Sequence, residues 1–129
     1  MAQETEGKNL EPARLRAGVE AVLQQEKLGF YLVAEIEGKV AGQLLITTEW
    51  SDWRNGYFWW IQSVYVAPDY RRRGVYRALH EHARTKALSH QNVCGVRLYV
   101  DRDNRIAQQV YRNLGMSYSH YDLYEIEFG

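Results

Sequence analysis

Arg71, Arg72 and Arg73 stand together ahead of Gly74, Val75 and Tyr76. This is the part of the chain best suited to chemistry. Gly74 lets backbone approach a ligand closely, and the helix opening after it starts with N–H groups that lack helical partners. Those amides lie at the positive end of the helix dipole, beside three guanidinium groups. Such a turn binds anions, and a phosphorylated cofactor is its natural guest. Pro68 ends the strand leading into the turn, because proline cannot donate to a strand ladder.

Other reactive side chains are less well placed. His80 and His82 share a helix but point roughly 200° apart, so they cannot chelate one ion, and no His pair at i, i+4 exists. No metal site is expected. Cys94 is the single cysteine. It excludes an internal disulfide and fits a reducing cytoplasm, with the thiol buried or half-buried before Gly95 and Val96. No His/Asp spacing marks it as a nucleophile.

These groups need a scaffold, and 129 residues make one domain, residues 1–129, with an ordinary core. Pro12 opens a helix to about Gln25 with Leu15, Val19, Val22 and Leu23 on one face. Residues 30–36 read as a strand, Glu37, Gly38 and Lys39 as a hairpin turn, and residues 40–49 as the returning strand. Asn55-Gly56 marks a turn, and residues 58–66 are apolar enough for a strand covered on both faces. A helix runs from Gly74 to about Ser89, burying Val75, Leu79, Ala83 and Ala87. Residues 96–101 form a strand with Val96, Leu98 and Val100 inward. Asp103 or Asn104 caps the next helix, Gly115 ends it, and Ile106, Ala107, Val110, Tyr111 and Leu114 make its buried stripe. By spacing alone Tyr111 is a core aromatic. Residues 121–128 close the chain as a strand with Tyr124, Ile126 and Phe128 alternating.

Two blocks in this order resemble the GNAT N-acetyltransferases. Arg71, Arg72, Arg73, Gly74 and Val75 fit the family's (Gln/Arg)-x-x-Gly-x-(Gly/Ala) loop for the pyrophosphate of acetyl-CoA, while Tyr76 replaces its small residue. Asn104, Ala107, Tyr111 and Gly115 fit the family's Asn-x-x-Ala-x-x-x-Tyr-x-x-x-Gly helix, with Met116 in place of an aromatic. The resemblance covers roughly residues 10–128. It implies an α/β fold, a mixed, mostly antiparallel central sheet with flanking helices, shortened at its N-terminal end by the family's first strand. An open edge of that kind invites pairing with another chain, so a homodimer is expected.

The resemblance also implies chemistry: acetyl transfer from acetyl-CoA to a primary amine of a small molecule, by direct transfer. Val64, Tyr65 and Val66 would hold the pantetheine arm, with a backbone N–H near Val64 and Tyr65 facing the thioester oxygen. The amides of residues 71–76 would bind the pyrophosphate, Asn104 would bond the pantetheine side, and Tyr111 would be the general acid. Glu49, closing a strand, is the candidate base, and an ordinary solvated carboxylate is the competing reading; Asp52 in the adjoining loop is second. Gln62 and Ser63 stand where polyamine acetyltransferases of the family carry acids, which weakens a polyamine reading and leaves other amines open. Trp50, Trp53, Trp59 and Trp60 offer an aromatic wall, though core packing accounts equally well for some of them.

The alternative to an enzyme is a non-catalytic acyl-CoA-binding or sensor protein, suggested by Tyr76 and the missing strand. A nucleic-acid patch at the arginines is disfavoured, since sixteen basic and sixteen acidic residues cancel. No apolar run approaches the roughly 20 residues of a membrane span, and the polar start lacks a signal peptide's apolar stretch. A cytoplasmic protein without membrane contact is expected.

Overall fold

The hairpin forms where its turn residues put it. The computed structural model describes residues 12–129, and in it Phe30–Ile36 (β1) turns into Lys39–Ser51 (β2). Glu37 and Gly38 both take positive φ, 52° and 79°, as a two-residue hairpin turn matching strand twist requires. β2 pairs antiparallel with β1, from Phe30↔Ile46 to Ile36↔Lys39. Its other edge pairs antiparallel with Gly56–Val66 (β3), from Gly42↔Val66 to Ser51↔Gly56. Val93–Leu98 (β4) then joins β3 in parallel, giving the order β1-β2-β3-β4. Among the described residues β1 and β4 are the sheet's edges.

A parallel neighbour needs a long crossover, supplied here by a helix. Pro12–Gln24 is α1, Val75–Leu88 is α2 and Arg105–Asn113 is α3, with short 3-10 turns at Glu26–Leu28 and Pro68–Tyr70. The four-residue spacing on α2 settles where the core lies. Val75, Leu79, Ala83 and Ala87 are all buried and pack on Ala41, Leu44, Ile46, Trp59 and Ile61 from the sheet. Alanine at 83 and 87 lets the helix axis approach the strands. Burying each large member of this cluster stabilises the fold by roughly 1.5–3 kcal/mol.

The register carries one irregularity that matters for the site. Leu44 faces Val64 and Ile46 faces Ile61, so Gln62 and Ser63 together oppose Leu45. This is a β-bulge, a device that bends a strand and re-aims its side chains. Trp59 and Ile61 before it and Val64 and Val66 after it all pack toward the α2 core.

Several expectations are corrected. β4 begins at Val93 rather than Val96, because the Asn92 carbonyl accepts from Tyr57 N–H at 2.7 Å and starts the pairing early. Asp101 is no strand residue. Its carboxylate accepts from the Asp103 N–H at 2.8 Å, a turn that leads into α3. The α3 stripe is only half covered: Leu114 is buried while Ile106 is 83 % exposed, since only the last turn reaches α2, through Arg84 to the Leu114 carbonyl at 3.4 Å. Val19 and Leu23 on α1 are exposed as well. Residues 121–128 form no strand, because no described strand pairs with them. Cys94 is exposed on the edge strand rather than buried.

Candidate active site

The opening between β3 and β4 comes from two registers that end at different places. Toward β4, β3 pairs only as far as Ile61↔Leu98, whereas toward β2 it pairs to Val66. Residues 62–66 therefore turn one edge of their backbone away from any described strand. The bulge at Gln62 and Ser63 lies where the two strands part. Backbone groups in such a gap need partners, and an extended ligand arm can provide them. Val64, Tyr65 and Val66 all belong to this stretch and are half-buried.

Beyond Val66 the chain turns through Pro68–Tyr70 into the arginines. Arg71 is extended, and its Nε donates to the Val66 carbonyl at 2.9 Å, tying the turn to the strand end. Arg73 stacks its guanidinium 5.7 Å from the Tyr70 ring centre. Arg72 and Gly74 take left-handed φ, 64° and 77°. For Arg72 that is strained, whereas Gly74 has no Cβ to crowd the following carbonyl. Curled backbone of this kind gathers successive amides around an anion. Gly74 is the N-cap of α2 and makes no side-chain cap, so the amides of Val75, Tyr76 and Arg77 start the helix without a protein acceptor.

The first turn of α2 lies directly on β2, and one missing methyl allows it. A Cβ on Gly42 would fall 2.8 Å from Val75 Cγ1 and 2.9 Å from the Tyr65 carbonyl oxygen. α3 closes the other side. Arg71, Arg72, Gly74 and Tyr76 line a groove of about 340 Å³ together with Val110 and Asn113.

Tyr111 projects from α3 toward the same helix start. It is half-buried, and its ring meets the Tyr76 ring edge-on, with centres 5.9 Å apart. The Tyr76 hydroxyl lies 3.4 Å from His80 Nδ1, one turn along α2. Burial, then the charge of Tyr111 and a hydrogen bond shared with it, push the Tyr76 phenol far up. Burial likewise holds the His80 imidazole below its ordinary value; Glu81 opposes this and Arg84 adds to it. Tyr76, the residue that departs from a small side chain, thus turns toward Tyr111 and His80. Asn104 is the N-cap of α3, its Oδ1 accepting from the Ala107 N–H at 3.1 Å. Its amide nitrogen is the group that can donate to a ligand.

A second cluster lies on the sheet face away from the α2 core. Glu49 Oε1 accepts from Arg97 Nη1 and from Trp60 Nε1, each at 3.0 Å. The Arg97 guanidinium sits 3.5 Å over the Phe58 ring, and Trp60 stacks on Tyr99 with centres 4.5 Å apart. Glu49 faces Phe58 in the ladder, roughly 13 Å along β3 from the bulge at about 3.3 Å per residue. It lies outside the arginine-turn groove. The four tryptophans do not form one wall: Trp59 is core, Trp60 belongs to this cluster, Trp53 is exposed, and Trp50 packs edge-on to Tyr57 at 5.0 Å. Asp52 accepts from the Trp53 N–H at 3.0 Å and shapes its loop.

A profile of the acetyltransferase (GNAT) family matches residues 2–116. The chain belongs to this family. It is therefore an acyltransferase, and the mixed sheet with its flanking helices is the GNAT α/β fold. Among solved structures it is similar to a possible acetyltransferase from Clostridium difficile 630, at 44 % identity and TM-score 0.92, over 98 % of this chain and 84 % of that one. Two more distant GNAT structures share the fold. A ribosomal-protein-alanine N-acetyltransferase from Brucella melitensis biovar Abortus 2308 is 20 % identical over 87 % of this chain and 79 % of that one, with TM-score 0.73. The aminoglycoside N-acetyltransferase AAC(6')-Iy, solved with CoA, is 17 % identical over 91 % and 88 %, with TM-score 0.70. No curated protein matches the chain.

The acetyltransferase thus has its arginine turn, open strand edge and Tyr111 helix on one groove, while Glu49 lies apart. Arg97 and Tyr99 were not among the residues singled out for chemistry, and the buried His80 was weighed only as a metal ligand beside His82 and set aside. Tyr76 and His80 carried one usable signal, an i, i+4 spacing that puts them on one helix face. Arg97 carried none, because its partner depends on β3–β4 register. Among the described residues no three His, Cys, Asp or Glu side chains converge as a metal site, and no helix is long and apolar enough to cross a membrane.

Proposed function

We propose that this single-domain GNAT acetyltransferase moves the acetyl group of acetyl-CoA directly onto a primary amine of a small molecule. One observation carries the reading: the Tyr111 helix, through Val110 and Asn113, lines one groove with Arg71, Arg72, Gly74 and Tyr76, and the Tyr76 ring meets the Tyr111 ring. The donor fits the residues present. Uncapped amides of Val75, Tyr76 and Arg77, with Arg71, Arg72 and Arg73, suit a pyrophosphate, and the open edge of residues 62–66 suits the amide-bearing pantetheine arm. The distant relative AAC(6')-Iy was solved both with CoA and with the bisubstrate analogue CoA-S-monomethyl-acetylneamine, which favours a small-molecule acceptor here.

Acetyl-CoA supplies an acyl thioester already activated toward amines. The chain's own groups then do three things. Backbone groups of Val64 and Val66, which point away from β2, hold the extended arm, with the N–H beside the Val64–Tyr65 peptide facing the acyl oxygen. Tyr111 gives its phenol proton to the departing sulfur. The Tyr76 hydroxyl, hydrogen-bonded to Tyr111, fixes the orientation of that phenol. Asn104 offers its amide N–H to the pantetheine side while its oxygen caps α3.

Glu49 is the group that removes the proton from the incoming ammonium, directly or through water. Arg97 and Trp60 occupy Oε1, and among the described residues nothing donates to Oε2. Direct transfer is favoured over a covalent acyl-enzyme because Cys94 lines a different groove, with His80 and Met116 rather than the arginine turn. The lone thiol also favours a cytoplasmic setting. Both sheet edges are open among the described residues, which favours a homodimer.

The test is incubation with acetyl-CoA and a panel of small amines, following free thiol. Amine-dependent thiol release that is lost in Tyr111→Phe is the expected result. Stabilisation by acetyl-CoA without release from any amine would overturn catalysis in favour of an acyl-CoA sensor.

A further inference from the structure

Residues 118–129 form neither helix nor strand. They nevertheless carry some of the most exposed apolar side chains of the protein, from 53 % at Tyr121 to 93 % at Tyr124, with Tyr118, Leu123, Ile126 and Phe128 between. Among the described residues, the arm's ion pair to the body is Arg102 to Asp122 at 3.3 Å, between two exposed side chains. A contiguous apolar surface of this kind marks a contact that one copy leaves unmade.

The arm's sequence says what the contact is. Tyr124, Ile126 and Phe128 alternate with Glu125 and Glu127, which in an extended chain puts three apolar groups on one side and two carboxylates on the other. That is the pattern of a strand lying over a core. A strand needs a ladder, and β4 has one to offer. β4 is paired in parallel on one edge and bare on the other among the described residues, whereas parallel strands normally lie inside a sheet. Beside it runs a groove of about 360 Å³, lined by Ala87, Leu88, Val93, Val96, Leu114 and Met116. The chain enters this groove at Leu114 and Met116 and then leaves it.

We infer that residues 118–128 of each copy add as a strand to the bare edge of β4 in a second copy, so that two chains exchange arms in a two-fold dimer. This deepens the homodimer proposed above and rests on it; it does not depend on the identity of the amine. Charge agrees, because the arm brings Asp122, Glu125 and Glu127 toward Arg97 on β4 and Arg84 in the groove. Area agrees too. Burying Tyr124, Ile126 and Phe128 removes roughly 500 Å² per arm. Two arms with the surfaces they cover make roughly 2,000 Å², more than the about 1,600 Å² of a standard interface. Exchange of an identical element is a low-cost route to a closed dimer, and main-chain hydrogen bonds to an open edge supply its register.

Cys94, exposed on β4, is a built-in reporter. Leu123→Cys, Glu125→Cys and Glu127→Cys are made singly, treated with a short bifunctional maleimide, and compared with the same variants carrying Cys94→Ser. Sedimentation of the untreated protein at micromolar concentration is expected to give a dimer. At least one variant is expected to give a covalent dimer that requires Cys94. Removal of residues 118–129 is expected to give a monomer. A monomeric mass for the full chain overturns both the dimer and the exchange. A dimer in which no variant links to Cys94 of the other chain, in which the link forms within one chain, or which survives removal of the arm, overturns the exchange alone.

Discussion

Gly42→Ala tests whether the anion-binding turn is held in place by close packing of α2 on β2. The added methyl would meet Val75 Cγ1 at 2.8 Å and the Tyr65 carbonyl oxygen at 2.9 Å, with Leu79 Cδ1 at 3.5 Å. The Tyr65 carbonyl is backbone held in the ladder opposite Gln43 and yields little. Val75 must give way, and Val75 is the first residue of α2. Overpacking of this kind costs about 1–3 kcal/mol. At about 2.1 cal/mol/K per residue, unfolding this chain has an entropy of about 0.27 kcal/mol/K, so the melting temperature falls by about 4–11 °C. The same displacement moves the amides of Val75, Tyr76 and Arg77 away from the arginine turn. Acetyl-CoA at about 100 times its dissociation constant stabilises the wild type by about 2.7 kcal/mol, or about 10 °C. A tenfold weaker affinity in the variant removes about 1.4 kcal/mol, about half of that upshift, at the same ligand concentration. Differential scanning fluorimetry with and without acetyl-CoA reads both numbers. A variant melting within 2 °C of wild type refutes the packing argument, and an undiminished ligand upshift in a destabilised variant refutes its coupling to the turn.

Tyr111→Phe is expected to lower kcat by about 10²–10⁴ while keeping the acetyl-CoA upshift; unchanged turnover removes Tyr111 as the acid. Glu49→Gln keeps an oxygen that accepts from Arg97 and Trp60 but loses its basicity. A fall in kcat of about 10²-fold or more with melting unaltered is expected, and full activity would place the base elsewhere. His80 gives a pH dependence of stability. Burial lowers its folded value, so just below the unfolded value of about 6.5 the unfolded chain binds more protons than the folded one. Its contribution is complete above that pH and is lost as pH falls through the folded value. Urea titrations from pH 7.5 down to 5 should show this loss, and His80→Gln should flatten it. Parallel loss in both proteins would count against His80 as the cause.

Much of the fold was legible because periodicity reports directly on burial. Val75, Leu79, Ala83 and Ala87 recur every four residues, and all four are in the core. Pro68 stops β3, and the arginine turn follows as the residue types require. Partner-dependent features were not legible. The alternation in residues 121–128 states which side wants cover but not what supplies it, so it reads as a strand where one copy has none. Likewise Ile106 sits on a good stripe and stays 83 % exposed, since a helix face is buried only where something meets it. Of the site, the turn and Tyr111 came from spacing within one element plus family resemblance. The Glu49, Trp60 and Arg97 cluster joins three strands and follows from register alone, which no local pattern encodes.

The bulge in β3 separates what the core asks of that strand from what the site asks of it. Core-facing residues run odd at Trp59 and Ile61 and even at Val64 and Val66, and the extra residue at 62 or 63 is what resets the parity. Many side chains can be exchanged there, because both positions are exposed. Deleting one would leave plain alternation from Ile61 through a single outward residue to Val64, so Val64 and Val66 would still face α2 opposite Leu44 and Gly42, and the bend alone would be lost. A one-residue deletion there spares the core and the approach to the arginine turn, and is felt where β3 parts from β4.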